Sequence, residues 1–228
     1  MDLAALRSAL RTTVLDDTVV PYQWSDETLT RFFNNAVREA CIRARLLKVD
    51  AVTDAKACRI AVAANQDVVK FDPSILAIRS GIVEGGCDPL YALPAESMDK
   101  VEPGWDNGVQ VASRPCYMVM DLAQKSFRLF PAPSEAIVLR LRAWRVPKDE
   151  ERMTAKSDEP VIALSDPEEL KHWAAHEAYA SSDGELQDLQ KSAMHLDLFE
   201  NRFGPRPTLH EMSRWADSPP RVRLVQTF

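Results

Sequence analysis

A chain of 228 residues with 46% hydrophobic and 27% charged side chains has the make-up of an ordinary globular protein of one or two domains, which excludes a disordered chain. Its net charge of −6 argues against a protein that wraps nucleic acid by neutralising phosphates. The longest apolar runs fall far short of a membrane span, and Asp2, Arg7 and Arg11 interrupt the N-terminal stretch, so neither a signal peptide nor a transmembrane helix is read and synthesis in the cytosol is expected.

In chain order, Leu3, Leu6, Leu10 and Val14 repeat at helical spacing and predict a short helix over 2–15 that packs on the next one. Pro21 then enforces an extended approach to the Ser25 cap. From there Asp26 and Glu27 place negative charge in the first turn, and Trp24 and Leu29 stand at the spacing of a hydrophobic staple. Leu29, Phe32, Phe33, Ala36, Val37, Ala40, Cys41, Ala44 and Leu47 continue one apolar stripe, a helix of about 35 Å at about 1.5 Å per residue. After Asp50 the period changes to two. Strands are predicted over 59–63, 68–71, 75–84, 116–122, 126–130 and 137–146, five or six of them in an antiparallel sheet, with residues 88–114 irregular apart from helical turns at 95–101. In the last strand Leu139, Leu141 and Ala143 share one face, and Arg140, Arg142 and Trp144 the other. A charged loop over 148–159 leads to two helices, 167–180 and 184–203, ended by Gly204 and Pro205. The expected fold is therefore α+β: a helical bundle from the N- and C-terminal helices, a small antiparallel β-sheet layer, and an extended C-terminal arm. The corresponding segments are 1–50, 51–148, 149–204 and 205–228.

The residues nominate no catalytic centre. His172 and His176 lie four apart on one helix face, as two metal-binding imidazoles can, but Trp173 stands where the metalloprotease pattern needs Glu. His195 and His210 could join them only by long-range folding, so a half-exposed helix face is the favoured reading and neither a metal nor another cofactor is assigned. Glu168, Glu169 and Glu177 read as solvated or helix-terminal charges, not as acid–base groups. Cys41, Cys58, Cys87 and Cys116 are far apart without a C-x-x-C pair, which predicts reduced, mostly buried thiols. Trp24, Trp144 and Trp173 read as core or staple residues, whereas Trp215 lies in a segment without an apolar stripe, where an anchor for another chain and a folded-back tail are equally open.

The order of these elements resembles the head-to-tail adaptor proteins of tailed bacteriophages, including the tail-tubular-protein-A type. The resemblance is carried by LRTTVLDDTVVPYQWSDETLTRFFNNAVREACIRARLL at the N-terminus, with Asn35, Ala36, Glu39 and Ala40, and by VEPGW at 101–105. RPCYMVMDLAQKSFRLFPAP at 114–133, LRLRAWRVP at 139–147, HWAAHEAYASSDGEL at 172–186 and FENRFG at 199–204 continue it, so that it covers residues 1 to about 207. ALSDPEEL at 163–170 departs from the isoleucine–proline and histidine that often precede the family's helix. The resemblance implies a non-enzymatic virion protein of the neck region, assembled in the host cytoplasm. It implies a ring, typically dodecameric, that contacts the portal protein, neighbouring adaptor subunits and a tail tube or tail nozzle protein. Genomic DNA would pass through without specific binding, for which an acidic wall is suited, and no membrane is involved.

Residues 205–228 carry four arginines against Glu211 and Asp217, the opposite sign to the whole chain. Pro205, Pro207, Pro219 and Pro220 exclude a continuous helix, and residues 221–225 alternate as a strand that could add to a partner's sheet edge. Arg206, Arg214, Trp215, Arg221, Arg223, Val225 and Phe228 are the candidate partner-binding residues. Two other classes stay open from the residues alone: a cytosolic hydrolase with a histidine site on the 167–180 helix, and a binding module or regulator unrelated to virions.

Overall fold

The computed structural model describes residues 1–108, 111–181 and 187–208. Its elements in chain order are α1 (Leu3–Leu10), α2 (Asp26–Ala44), β1 (Leu47–Asp50), α3 (Ala55–Cys58), β2 (Arg59–Val62), β3 (Val68–Lys70), β4 (Ile75–Val83), β5 (Pro89–Pro94), α4 (Ala95–Val101), β6 (Tyr117–Ala123), β7 (Ser126–Phe130), β8 (Ile137–Arg145), α5 (Leu170–Ala180) and α6 (Leu189–Phe203). They fall into two compact units, one of Met1–Leu47 with Val146–Pro207, the other containing Lys48–Arg145.

The first unit is helical. Asp2 caps α1 by accepting from the Ala5 N–H at 2.8 Å, and Leu3, Leu6 and Leu10 are fully buried. A π-helical turn, Arg11–Leu15, follows, where the Thr12 and Thr13 hydroxyls donate back to the Ser8 and Ala9 carbonyls. Ser25 caps α2 by accepting from the Thr28 N–H at 3.1 Å, and Leu29, Phe33, Ala36, Ala40 and Cys41 are fully buried along its stripe. Trp24 packs against the same core, with its ring 6.0 Å from that of Phe32. On α5, Ala174, Ala175 and Ala178 have no exposed surface, and α2 and α6 both pack against that helix. Small side chains there let the backbones approach closely. Asp188 caps α6 by accepting from the Gln190 and Lys191 N–H groups.

The second unit is built on a curled, mixed sheet in the order β1-β8-β4-β5-β6-β7-β3, with β2 also paired to β8. It encloses its own core, which includes Val69, Ile75, Ile78, Met118, Phe127, Leu129, Leu139 and Leu141. Gly81 of β4 is a packing glycine: a Cβ there would lie 2.8 Å from Met118 Sδ and 3.2 Å from Leu141 Cδ2.

This corrects the expected bundle with a small antiparallel sheet layer. Helix accounts for 37% and strand for 24% of the described residues, and the eight-stranded sheet has a hydrophobic core of its own. Two strands escaped the sequence reading. Residues 47–50 were expected to end the long helix, but Arg45 adopts a left-handed backbone (φ 52°) that stops α2 at Ala44 and releases β1. Residues 89–94 were expected to be irregular because prolines bound them. The prolines stand at the two ends of β5, where the missing N–H groups are tolerated, and the Tyr91 N–H still donates to the Cys116 carbonyl at 3.0 Å. β5 runs parallel to β6, so the sheet is mixed and not antiparallel throughout. The cysteines also differ in part from expectation: all four are free, but only Cys41 and Cys58 are buried, while Cys87 and Cys116 are exposed.

Candidate partner-binding surfaces

The proposed arm leaves the helical unit at the end of α6. Gly204, with φ 87°, turns the chain out of the helix, a conformation that suits a residue without Cβ. Arg43 of α2 holds this exit. Its side chain is 3% exposed; Nη1 donates to Glu200 Oε1 at 2.8 Å and to the Gly204 carbonyl at 3.1 Å, and Nε lies 3.5 Å from Glu39 Oε2. The same guanidinium sits 5.3 Å from the Trp173 ring centre. Arg206, two residues beyond the exit, is largely exposed and lies 3.5 Å from Glu39 Oε1. The candidate residue that the structure describes is thus engaged within its own chain at the base of the arm. Arg214, Trp215, Arg221, Arg223, Val225 and Phe228 lie outside the described residues.

A second feature was not singled out from the sequence. Arg11 and Asp17 form a buried ion pair, their side chains 7% and 2% exposed. Asp17 also accepts from the Gln23 N–H at 2.8 Å and the Trp24 N–H at 3.2 Å, while Arg11 donates to the Trp24 carbonyl at 2.6 Å and to Asp26 Oδ1 at 3.1 Å. This network clamps both ends of the loop between α1 and α2, and Val19 and Val20 at its tip are 77% and 73% exposed. In the sequence only the LRTTVLDDTVV stretch of the family resemblance covers this loop, and the pairing of Arg11 with Asp17 could not be seen without the fold.

The histidines prove to be an interhelical packing set. His172 Nδ1 and His195 Nδ1 are 3.1 Å apart with stacked rings, and burial lowers both pKa values, that of His195 to about 4. His176 Nδ1 lies 2.8 Å from Ser192 Oγ and 3.1 Å from the Ser192 carbonyl, while that hydroxyl donates to the His176 carbonyl at 3.1 Å. Ser192 is buried and serves as a brace between α5 and α6. Among the described residues no group of three or more His, Cys, Asp or Glu is placed to hold a metal ion. Glu177 departs from the solvated charge expected of it. It is half-buried, accepts from Asn35 Nδ2 at 3.1 Å and from Trp173 Nε1 at 2.8 Å, and burial raises its pKa. Glu168 and Glu169 lie in the turn before α5, facing Lys171 and His172.

The sheet presents a third surface. With Leu139, Leu141 and Ala143 turned to the core, Arg140, Arg142 and Trp144 stand on the outer face of β8, where Lys48 of β1 and Arg79 of β4 join Arg142 and Trp144 around a shallow groove. The alternation along β8 was legible in the sequence. Lys48 and Arg79 reach the same groove only through the strand order.

The model of the SU10 adaptor protein family matches residues 1–223. The chain belongs to the SU10 adaptor protein family. It is accordingly a structural protein of the phage head–tail adaptor class and a virion component, in a family that is typically non-enzymatic. The match extends past residue 207, where the resemblance read in the sequence stopped, and takes in most of the expected arm. No curated protein matches the chain. Among its described residues no helix is long and apolar enough to cross a membrane.

Proposed function

We propose that this adaptor assembles as a dodecameric ring beneath the portal protein and joins it to a tail tube or nozzle protein, with the genome passing through the ring without specific binding. The observation that carries the reading is the family match over 1–223, which includes both folded units and most of the arm. The arm is the docking device in this reading. Arg206, Arg214, Arg221 and Arg223 give it a positive charge that an acidic neighbour or portal surface attracts. Its 221–225 stretch adds as a strand to a partner's sheet edge, and Trp215 and Phe228 are the apolar anchors. The clasp of Arg43 on Glu200 and Gly204 fixes the point from which the arm departs.

The test is deletion of residues 209–228. The truncated adaptor is expected to keep its melting temperature within a few degrees, because this segment has no apolar stripe of its own and Pro219 and Pro220 interrupt it, and to lose the joining of heads to tails. Normal joining by the truncated protein, scored as complete particles by electron microscopy, overturns the docking role.

A further inference from the structure

The charge of this chain is unevenly distributed. Residues 146–207 hold fourteen Asp and Glu against seven Lys and Arg, while residues 48–145 hold twelve of each. Within that balanced stretch the cations Lys48, Arg79, Arg140 and Arg142 gather on the outer face of β1, β8 and β4, and all four are exposed. Among the described residues none of them has a carboxylate within 4.0 Å; the nearby Arg59 on β2, which faces Arg140, does, at 2.7 Å from Glu84. The groove's own acid, Asp50, feels the charge of Arg142 but makes its hydrogen bonds within its own turn: Oδ1 accepts from the Val52 N–H at 3.0 Å, the Thr53 N–H at 2.9 Å and the Thr53 hydroxyl at 3.0 Å. Trp144, half-buried, supplies an apolar wall beside Lys48, Arg79 and Arg142. Unpaired cations gathered on one sheet face repel one another and attract a negatively charged occupant.

We propose that this groove is an adaptor–adaptor contact and that its occupant is the acidic turn Asp149–Glu151 of a second copy of the chain. Charge complementarity argues for it. The turn is three consecutive acids within the segment that carries the chain's acidic excess; Asp149, 3.0 Å from Arg152, and Glu150 are exposed, while Glu151 accepts from the Lys148 N–H at 2.9 Å. Identical subunits arranged head to tail must present two different, matching patches, one to each neighbour, and the groove and the turn meet that requirement. The contact deepens the ring reading and rests on it. A nucleic-acid backbone fits less well, since the chain's net charge of −6 repels a polyanion that approaches from any distance.

The test uses the full-length protein, half of it labelled with nitrogen-15, at high concentration and low salt. A carbodiimide joins an amine to a carboxylate only when the two already touch, so Lys48 is a built-in reporter. Mass spectrometry is expected to find Lys48 linked to Asp149, Glu150 or Glu151 in peptides that pair labelled with unlabelled chains. Arg79→Glu/Arg142→Glu should keep the wild-type melting temperature, because the changed side chains are exposed, and lower the yield of this link at least about tenfold; Asp149→Lys/Glu150→Lys, which removes the reacting carboxylates, identifies them as the site of the link. Combining both sets in one chain reverses both patches and should give interchain links of a second kind, between the lysines introduced at positions 149 and 150 and the glutamates introduced at positions 79 and 142. Wild-type links confined to single chains, or no such interchain links in the combined variant, overturn the proposal. So does a wild-type yield in the groove variant accompanied by lost affinity for a duplex DNA oligonucleotide, which would identify nucleic acid as the occupant. Because the link is read without heads, a failure of wild-type protein to join heads and tails counts against the ring alone, and absence of the link counts against this contact alone.

Discussion

At the scale of single residues, the helical unit holds two polar devices whose behaviour can be measured. His172 and His195 face each other Nδ1 to Nδ1, so one must donate and the other accept, and the doubly protonated pair is excluded. Burial foremost, and then the neighbouring charges of His172 and His176, bring His195 down to about 4 from an ordinary value of 6.5. Between these values the unfolded chain takes up a proton that the folded chain refuses. The stability that depends on neutral His195 is thus fully present above about pH 6.5 and is lost as the pH falls toward 4. Melting temperature should drop across this window, and His195→Gln should flatten the drop. Glu177 works in the opposite sense, its raised pKa letting the folded state hold a proton more readily than the unfolded one, so Glu177→Gln is the control. An unchanged slope in His195→Gln would rule this histidine out as the source. The buried Arg11–Asp17 pair is the second device. Arg11→Met leaves the Asp17 carboxylate, 2% exposed, with only the backbone N–H groups of Gln23 and Trp24 for company. The expected loss is about 3 kcal/mol or more, read from urea unfolding. A loss below about 1 kcal/mol would mean that water reaches Asp17 and that the clamp on the loop is weak.

At the scale of elements, what could be read in advance follows how local the determining signal is. Helix α2 was legible because cap, first-turn charges and stripe all lie within its own residues, and the β6–β7 hairpin because its alternation and its turn are contiguous. The end of α2 was not, since it depends on a left-handed arginine instead of a glycine. Strand β5 was hidden because its pairing is settled by β4 and β6, which lie on either side of it, and its parallel partner leaves no trace at its own positions. The same holds for the surfaces. Arg140 and Arg142 alternate visibly along β8, but the groove that Arg142 lines needs β1 and β4 alongside. Gly81 offers a measurement of how tightly these strands fix their core. Gly81→Val should cost about 1 to 3 kcal/mol by forcing Met118 and Leu141 apart. Paired with Met118→Ala, which opens space at the point of contact, it should cost clearly less than the sum of the two single changes. Strict additivity would show that the sheet yields elsewhere.

At the scale of the whole molecule, the ring proposed above raises the question of what would keep a subunit from assembling before its partner is present. Head-to-tail contacts between identical subunits have no intrinsic stop, so strong contacts would drive premature closure or open fibres in the cytoplasm. The large exposed apolar side chains include Val19 and Val20 at one loop tip, with others such as Val52, Val111 and Leu189 at separate places along the chain. Among the described residues these stand singly or in small groups, such as Val19, Val20 and Tyr22 or Met194 and Leu198, short of the extended hydrophobic interface that obligate oligomers use. The candidate contacts are instead charged: the arginines of the arm, the cationic groove on the sheet, and the acidic 149–151 turn. Exposed charge pairs contribute only about 0 to 1 kcal/mol each and weaken as salt rises. Such contacts hold a ring only when many are made together on a template that aligns the subunits, as the portal would. Purified adaptor at micromolar concentration and physiological salt should therefore sediment as monomers or small oligomers, and larger species should appear when purified portal is added. Raising the salt before addition should delay that assembly, because the steering between unlike patches is screened. A stable large ring formed by the adaptor alone, unaffected by salt, would place the driving force in apolar contacts and remove the need for a template.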